Sequence, residues 1–194
     1  MIIGITGYIG SGKSTVAELF HKKGFEIVEM RDAVVEEMKR KGMEINSRSL
    51  RDFSTMLREK YGKDIVARLT YRKIKKEKGK DIAITGMRTT YEEAYFRKRI
   101  KGFRIIAVSA PEMMRFKRIK NRNKPDDPKT LKEFRDIEQK EINGFSERKD
   151  EAHGIKRLMD HSDFVIFNTG TLRDLEKSIR ELIEFLEDLE KNGS

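Results

Sequence analysis

The sequence predicts an α/β fold in which one five-stranded parallel sheet lies between two helical layers, and two features predict it. Five short apolar runs fall at residues 1–6, 25–29, 81–85, 103–108 and 163–167, continuous enough to be buried on both faces, as parallel strands are. Long segments of helical period separate them, and a helical crossover starts each strand in the direction of the one before. The helices then cover both faces of the sheet. In such sheets ligands bind outside the carboxyl ends of the strands, so functional residues are expected just after each apolar run. The 194 residues suit a single domain with an ample core.

The first run, "MIIGIT", feeds directly into "GYIGSGKS". Gly7, Gly12, Lys13 and Ser14 occupy the fixed positions of G-x-x-x-x-G-K-[ST], with Gly10 as a further glycine inside the loop. Glycines admit left-handed dihedrals and close approach of a polyanion, so successive N–H groups turn into one concave space. The helix that follows adds the partial positive charge of its N-terminus. Lys13 is placed to reach the outer phosphates of a nucleotide, and the Ser14 hydroxyl to ligate a Mg2+ ion bridging them. The expected polyphosphate contacts are Gly7, Tyr8, Ile9, Gly10, Ser11, Gly12, Lys13, Ser14 and Thr15. A turn that merely happens to be glycine-rich is the plain alternative.

After the second run comes "EMRDAVVEEMKRKG", which sets Arg31 and Asp32 at the mouth of the cleft. A carboxylate there can accept or orient the proton of an attacking hydroxyl; Asp at that spot is equally a good N-cap for the next helix. The helix after "EIN" carries Arg48, Arg51 and Arg58 within an arc of about 80°, opposite Leu50, Phe53, Met56 and Leu57. Such a stripe clamps a second phosphate ester or is an ordinary solvated face. After the third run, "TGMRTTYEE" puts Arg88 three residues beyond the strand end, near the expected position of a transferring phosphoryl group.

The segment after the fourth run, "RFKRIKNRNKPDD", is the most basic of the chain. On a helix, Arg115, Arg118 and Arg122 share an arc of about 60°, while Lys117, Lys120 and Lys124 gather on the other side. Arginine offers a planar fork suited to phosphate and lysine is at ease in water, so the segregation points the arginines at a ligand. The turn "NKPDDP" that follows is a natural hinge for a lid. A solvated basic helix or a nucleic-acid contact is the competing reading. The fifth run ends in "FNTGT", where Asn168, Gly170 and Thr171 can pass under a nucleobase, or Thr171 can simply cap the next helix.

Composition sets outer limits. There is no cysteine, no run long enough to span a bilayer and no leader-like segment, so a cytoplasmic protein without a membrane partner is expected. The net charge of +10 favours phosphate-bearing partners in general. Abundant Lys and Glu suggest heat adaptation through surface ion pairs. His21, His153 and His161 lack metal-ligand spacing. Nothing in the sequence sets an oligomeric state.

With these pieces in place the chain resembles the P-loop nucleotide kinases, the group that includes adenylate kinase, deoxynucleotide kinases and dephospho-coenzyme A kinase. "IGITGYIGSGKSTVAELFHKKGFEIVEMRDAV" is similar to the opening of dephospho-coenzyme A kinase, and "DHSDFVIFNTGTLRDLEKSI" resembles its closing segment; together they make up about a quarter of the chain. The middle, "NSRSLRDFSTMLREKYGKDIVARLTYRKI" and "ITGMRTTYEEAYFRKR", looks more like a less characterised set of adenylate-kinase-related proteins. The resemblance implies a three-layer α/β/α P-loop NTPase fold of nucleoside monophosphate kinase type, with sheet order 2-3-1-4-5. It implies a single domain with a core at 1–29, 80–114 and 151–191, an acceptor-binding insertion at 30–79 and a lid at 115–150.

The activity it implies is transfer of the ATP γ-phosphoryl group, with Mg2+, to a small nucleotide acceptor. Lys13, Asp32, Arg88, Arg118 and Arg122 would be the catalytic set, Arg31, Asp32, Arg48, Arg51 and Arg88 the acceptor contacts, and Ser14 the metal ligand. Arg118, Asn168, Gly170 and Thr171 would complete the ATP site. One departure stands out: the adenylate kinase group typically carries an Asp-Gly pair after the third strand, and this chain has Thr85-Gly86. The alternatives are an ATPase or nucleotide switch acting on RNA or a protein assembly, and a catalytically weak AMP/ATP-binding protein.

Overall fold

The structure is a computed structural model that describes residues 1–77, 79–142 and 154–192. Residues 143–150 of the expected lid, residues 151–153 of the expected core, including His153, and Lys78 of the expected insertion lie outside the described residues.

Five strands, β1 (Ile2–Thr6), β2 (Glu26–Glu29), β3 (Ile82–Thr85), β4 (Arg104–Ser109) and β5 (Phe164–Phe167), coincide with the five apolar runs to within a residue or two at each end. All pairings are parallel and the order is β2-β3-β1-β4-β5, the order that the kinase resemblance implies. β1 lies at the centre, with Gly4 opposite Ile84 on one side and Ile105 on the other. Its neighbours therefore hold the end of the strand rigid where the glycine-rich loop leaves it.

Helices α1 (Lys13–Lys22) and α9 (Leu172–Asn192) cover one face. There the alternate residues Ile3, Ile5, Ala83, Ile106, Val108 and Ile166 pack against Val16 and Phe20 of α1 and against Leu175, Ile179 and Ile183 of α9. The apolar positions of α9 recur at helical spacing, which makes a stripe along its buried side. The other face carries Val28, Ile82, Ile84 and Ile105. It is covered by α2 (Met30–Arg40), α4 (Ile65–Ile74), α5 (Thr90–Arg99) and the short α8 (Ile155–Asp160), with α3 (Ser47–Tyr61) behind α2 and α4. Complete burial of a side chain such as Ile3 or Ile84 contributes roughly 1.5–3 kcal/mol, and this period-two alternation gives the sheet a driving force on each face.

Two further helices, α6 (Glu112–Arg122) and α7 (Leu131–Ile142), follow β4. Phe134 of α7 is fully buried and packs edge-on against Phe116 of α6, ring centres 5.6 Å apart. The loops that leave the carboxyl ends of the strands thus share one rim with the α6–α7 pair. No described helix is long and apolar enough to cross a membrane.

Candidate active site

The loop from Gly7 to Gly12 leaves β1 and turns into α1 in a conformation that only glycine takes easily. Gly10 and Gly12 have φ of +75° and +99°. A Cβ on Gly10 would lie 2.5 Å from the Arg115 carbonyl oxygen, and one on Gly12 would overlap the Asn168 side-chain amide. The loop is therefore pressed against α6 on one side and the β5 loop on the other. Lys13 folds back over it: Nζ donates to the Gly7 carbonyl at 2.7 Å and to the Tyr8 carbonyl at 2.8 Å. Burial lowers the Lys13 pKa to about 8; the Glu141 carboxylate opposes that fall, and the guanidinium groups of Arg88, Arg115 and Arg122 add to it. The Ser11 hydroxyl is buried with no partner, and Ser14 is exposed at the mouth.

The three α6 arginines divide the rim between them. Arg115 is buried, donates to the carbonyls of Ala110 (2.9 Å) and Ile9 (3.3 Å), pairs with Glu138 of α7, and lies over the rings of Tyr8 and Phe134. It supports the loop from behind. Arg118 donates to the Ser11 carbonyl at 3.3 Å and to the Asn168 carbonyl at 2.9 Å, while the Asn168 amide donates to the same Ser11 carbonyl at 2.9 Å. Arg118 and Asn168 are thus brought together with the glycine-rich loop. Arg122 turns to Asp127, donating from Nε at 3.0 Å, and that contact holds the Asp127 carboxyl below its ordinary range. The ion pair ties the end of α6 to the "NKPDDP" turn.

Beyond β3, Thr89 caps α5, and the Thr89–Glu92 capping box orders the preceding turn. Glu92 is 1% exposed. Its Oε2 accepts from the backbone N–H groups of Arg88 (2.8 Å) and Thr89 (3.2 Å), and its Oε1 accepts from Arg58 at 3.2 Å. Arg58, which helical spacing put on one arc with Arg48 and Arg51, is drawn inward by this buried partner. Arg88 itself reaches across the cleft and donates to Glu141 of α7 at 2.8 Å.

The remaining expected residues sit further out. Arg31 and Asp32 are exposed in the first turn of α2. The N-cap there is Glu29, so the capping alternative for Asp32 is not realised. Arg48 is 92% exposed beside Asp52 at 4.0 Å, and Arg51 is exposed; neither meets the loop. Ser47, however, donates to Asp126 at 2.7 Å, which brings the start of α3 to the hinge turn across the cleft. Thr171 caps α9 by exchanging hydrogen bonds with Asp174, and Gly170 leaves room for that carboxylate. Capping, one of the two readings open for Thr171, is what the structure contains.

Glu92, Glu138 and Glu141 were not among the expected site residues. Glu92 had a legible signal in T-x-x-E ahead of a helix; Phe134, Glu138 and Glu141 recur at helical spacing on one side of α7. The exposed Ser14 hydroxyl at the start of α1 is the group that could hold Mg2+, and the strand end at Thr85-Gly86 offers no carboxylate. Among the described residues no group of three or more His, Asp or Glu side chains is arranged to hold a metal by itself.

Residues 3–144 match the AAA_18 family, described as an AAA domain. The UPF0200 protein PH1008 of Pyrococcus horikoshii is 36% identical over 188 residues, which cover 94% of this chain and 96% of that protein. Among solved structures, TT1252 from Thermus thermophilus is similar with a TM-score of 0.65 and 23% identity over 96% of this chain and 97% of that one. Shikimate kinase from Bacteroides thetaiotaomicron is similar with a TM-score of 0.58 and 14% identity, over 96% and 98% of the two chains. At those identities the structural likeness bears on the fold. The chain belongs to the AAA_18 family, keeps company with the UPF0200 proteins, and has the fold of the P-loop kinases.

Proposed function

We propose that the protein is a Mg-ATP-dependent phosphotransferase that moves the γ-phosphoryl group of ATP to a small acceptor, a nucleoside monophosphate or a dephospho-coenzyme A-like nucleotide. The observation that carries this reading is the convergence of Lys13, from the loop after β1, and Arg88, from the loop after β3, on one part-buried space. Two cations held near one another from separate strand ends, Lys13 on the loop carbonyls and Arg88 on Glu141, suit a group that carries negative charge and moves.

In this reading the amides of Gly7 to Thr15 and the Lys13 ammonium hold the polyphosphate, and Arg118 and Asn168 keep the loop registered against the nucleobase side near Gly170 and Thr171. When bound, Mg2+ would supply charge neutralisation between the outer phosphates, held by Ser14. Arg88 stabilises charge on the phosphoryl group in flight, and Arg122 joins it by exchanging its Asp127 partner for a phosphate oxygen. Asp32, exposed at the cleft mouth, positions the acceptor: it takes the proton of a dephospho-coenzyme A-like hydroxyl as the new P–O bond forms and the bond to ADP breaks, whereas a monophosphate attacks through an oxygen that is already anionic. Residues 30–79, with Arg31, Arg48 and Arg51, act as the acceptor arm, and the lid at 115–150 excludes water. The setting is cytoplasmic.

Incubation with Mg-ATP and separate panels of monophosphates, dephospho-coenzyme A and RNA tests the proposal through ADP formation. Acceptor-dependent ADP is expected, and Lys13→Ala is expected to lower turnover by at least a hundredfold; a variant of near-normal rate would refute the role of Lys13. The second reading, an ATPase or switch that acts on RNA or a protein assembly, draws on Thr85-Gly86, where the adenylate kinase group has its Asp, and on the positive charge. ADP release stimulated by RNA alone would favour it.

A further inference from the structure

Glu141 belongs to a helix that docks over the phosphate cradle by three side chains on one side. Phe134 is fully buried next to Phe116, Glu138 pairs with Arg115 behind the loop, and Glu141, almost one further turn along, pairs with Arg88 on the Lys13 side of the cleft. It accepts from Arg88 at 2.8 Å, and its negative charge opposes the fall of the Lys13 pKa. The side chain is 12% exposed, and Oε2 is buried without a hydrogen-bond partner.

We propose that the Glu141 carboxylate occupies the seat of the terminal phosphate, so that a nucleoside polyphosphate must displace it to bind. The inference rests on the phosphate-cradle reading above and adds a device that regulates that site. A carboxylate has two oxygens where a terminal phosphate has three, and the unpartnered Oε2 shows that the seat is not fully matched by its present occupant. Two anions in one part-buried space repel, so the carboxylate and a phosphate exclude one another. Displacement lifts the last turn of α7 while Arg118 of α6 stays on the Ser11 carbonyl. The apparent affinity for phosphate is reduced by the fraction of time the seat is filled: a seat filled about nine-tenths of the time weakens binding about tenfold.

Titration calorimetry of the full chain with Mg-ATP, inorganic tripolyphosphate and adenosine tests this for the wild type, Glu141→Gln and Glu141→Asp. The expected result is that Glu141→Gln binds ATP and tripolyphosphate about tenfold more tightly, with adenosine unchanged and Glu141→Asp in between. Equal or weaker phosphate binding by a folded Glu141→Gln overturns the proposal and leaves the cradle reading intact. Failure of every protein to take up ATP or tripolyphosphate overturns both. Hydrogen exchange on the wild type gives a reading without a variant: amides at 138–142 are expected to exchange faster when ATP is bound, and slower exchange there refutes displacement.

Discussion

At Lys13 the need for a positive charge and the cost of burying one meet in a single side chain. Burial brings the pKa down from 10.5 to about 8. Between those values the unfolded chain holds a proton that the folded chain has released, so this group makes folding stability rise with pH across that window. Affinity for ATP moves the other way, because the neutral amine has no charge to offer. Wild-type affinity is therefore expected to fall from about pH 8 to about pH 9.5, with Lys13→Met weak and flat over the same range; calorimetry at stepped pH checks it. Gly12 makes a sharper case. With φ of +99° and the Asn168 amide where a Cβ would go, Gly12→Ala is expected to cost about 1–3 kcal/mol and to abolish ATP uptake, read by denaturant unfolding and titration. Both residues were legible in the sequence, because the motif states its dihedrals and its charge locally. Glu138 and Glu141 were not, since what gives them meaning is Arg115 and Arg88, 23 and 53 residues away.

Among the elements, the strands were the easiest to read. The central strands β1, β3 and β4 are buried on both faces, and burial on both faces writes a continuous apolar run; the edge strand β5 kept an apolar run although Val165 and Phe167 are exposed. The helix after "EIN" was half legible: Phe53 and Leu57 are buried as their spacing requires, and Met56 on the same arc is 39% exposed because α3 lies outside α2 and α4. Its Arg58 departs from the solvated stripe for a reason that a helical wheel cannot contain, namely the buried carboxylate of Glu92 on α5. That pair also sets the α5 cap and the backbone of Arg88. Removing the carboxylate leaves a guanidinium and two backbone N–H groups short of a partner. Glu92→Ala is therefore expected to destabilise the protein by about 3–5 kcal/mol, visible as a lower Tm, and to weaken whatever Arg88 does in turnover.

At the scale of the whole molecule, parallel strands joined by helices were a direct consequence of the pattern of runs, whereas the order β2-β3-β1-β4-β5 came from resemblance, because no local signal says which strand lies beside which. The net charge of +10 is spread rather than pooled: the rim arginines are matched by acids in the pairs Arg88–Glu141, Arg115–Glu138 and Arg122–Asp127, while Lys117, Lys120 and Lys124 of the basic segment are exposed. The molecule thus presents a cradle lined with paired cations, which a polyphosphate can enter by exchanging one anion for another. Everything proposed about transfer depends on that entry. Calorimetric titration of the purified chain with magnesium and ATP measures it directly: saturable uptake of one ATP per chain below millimolar concentration, lost in Lys13→Ala, is the predicted result, and absence of binding at millimolar ATP would contradict the account.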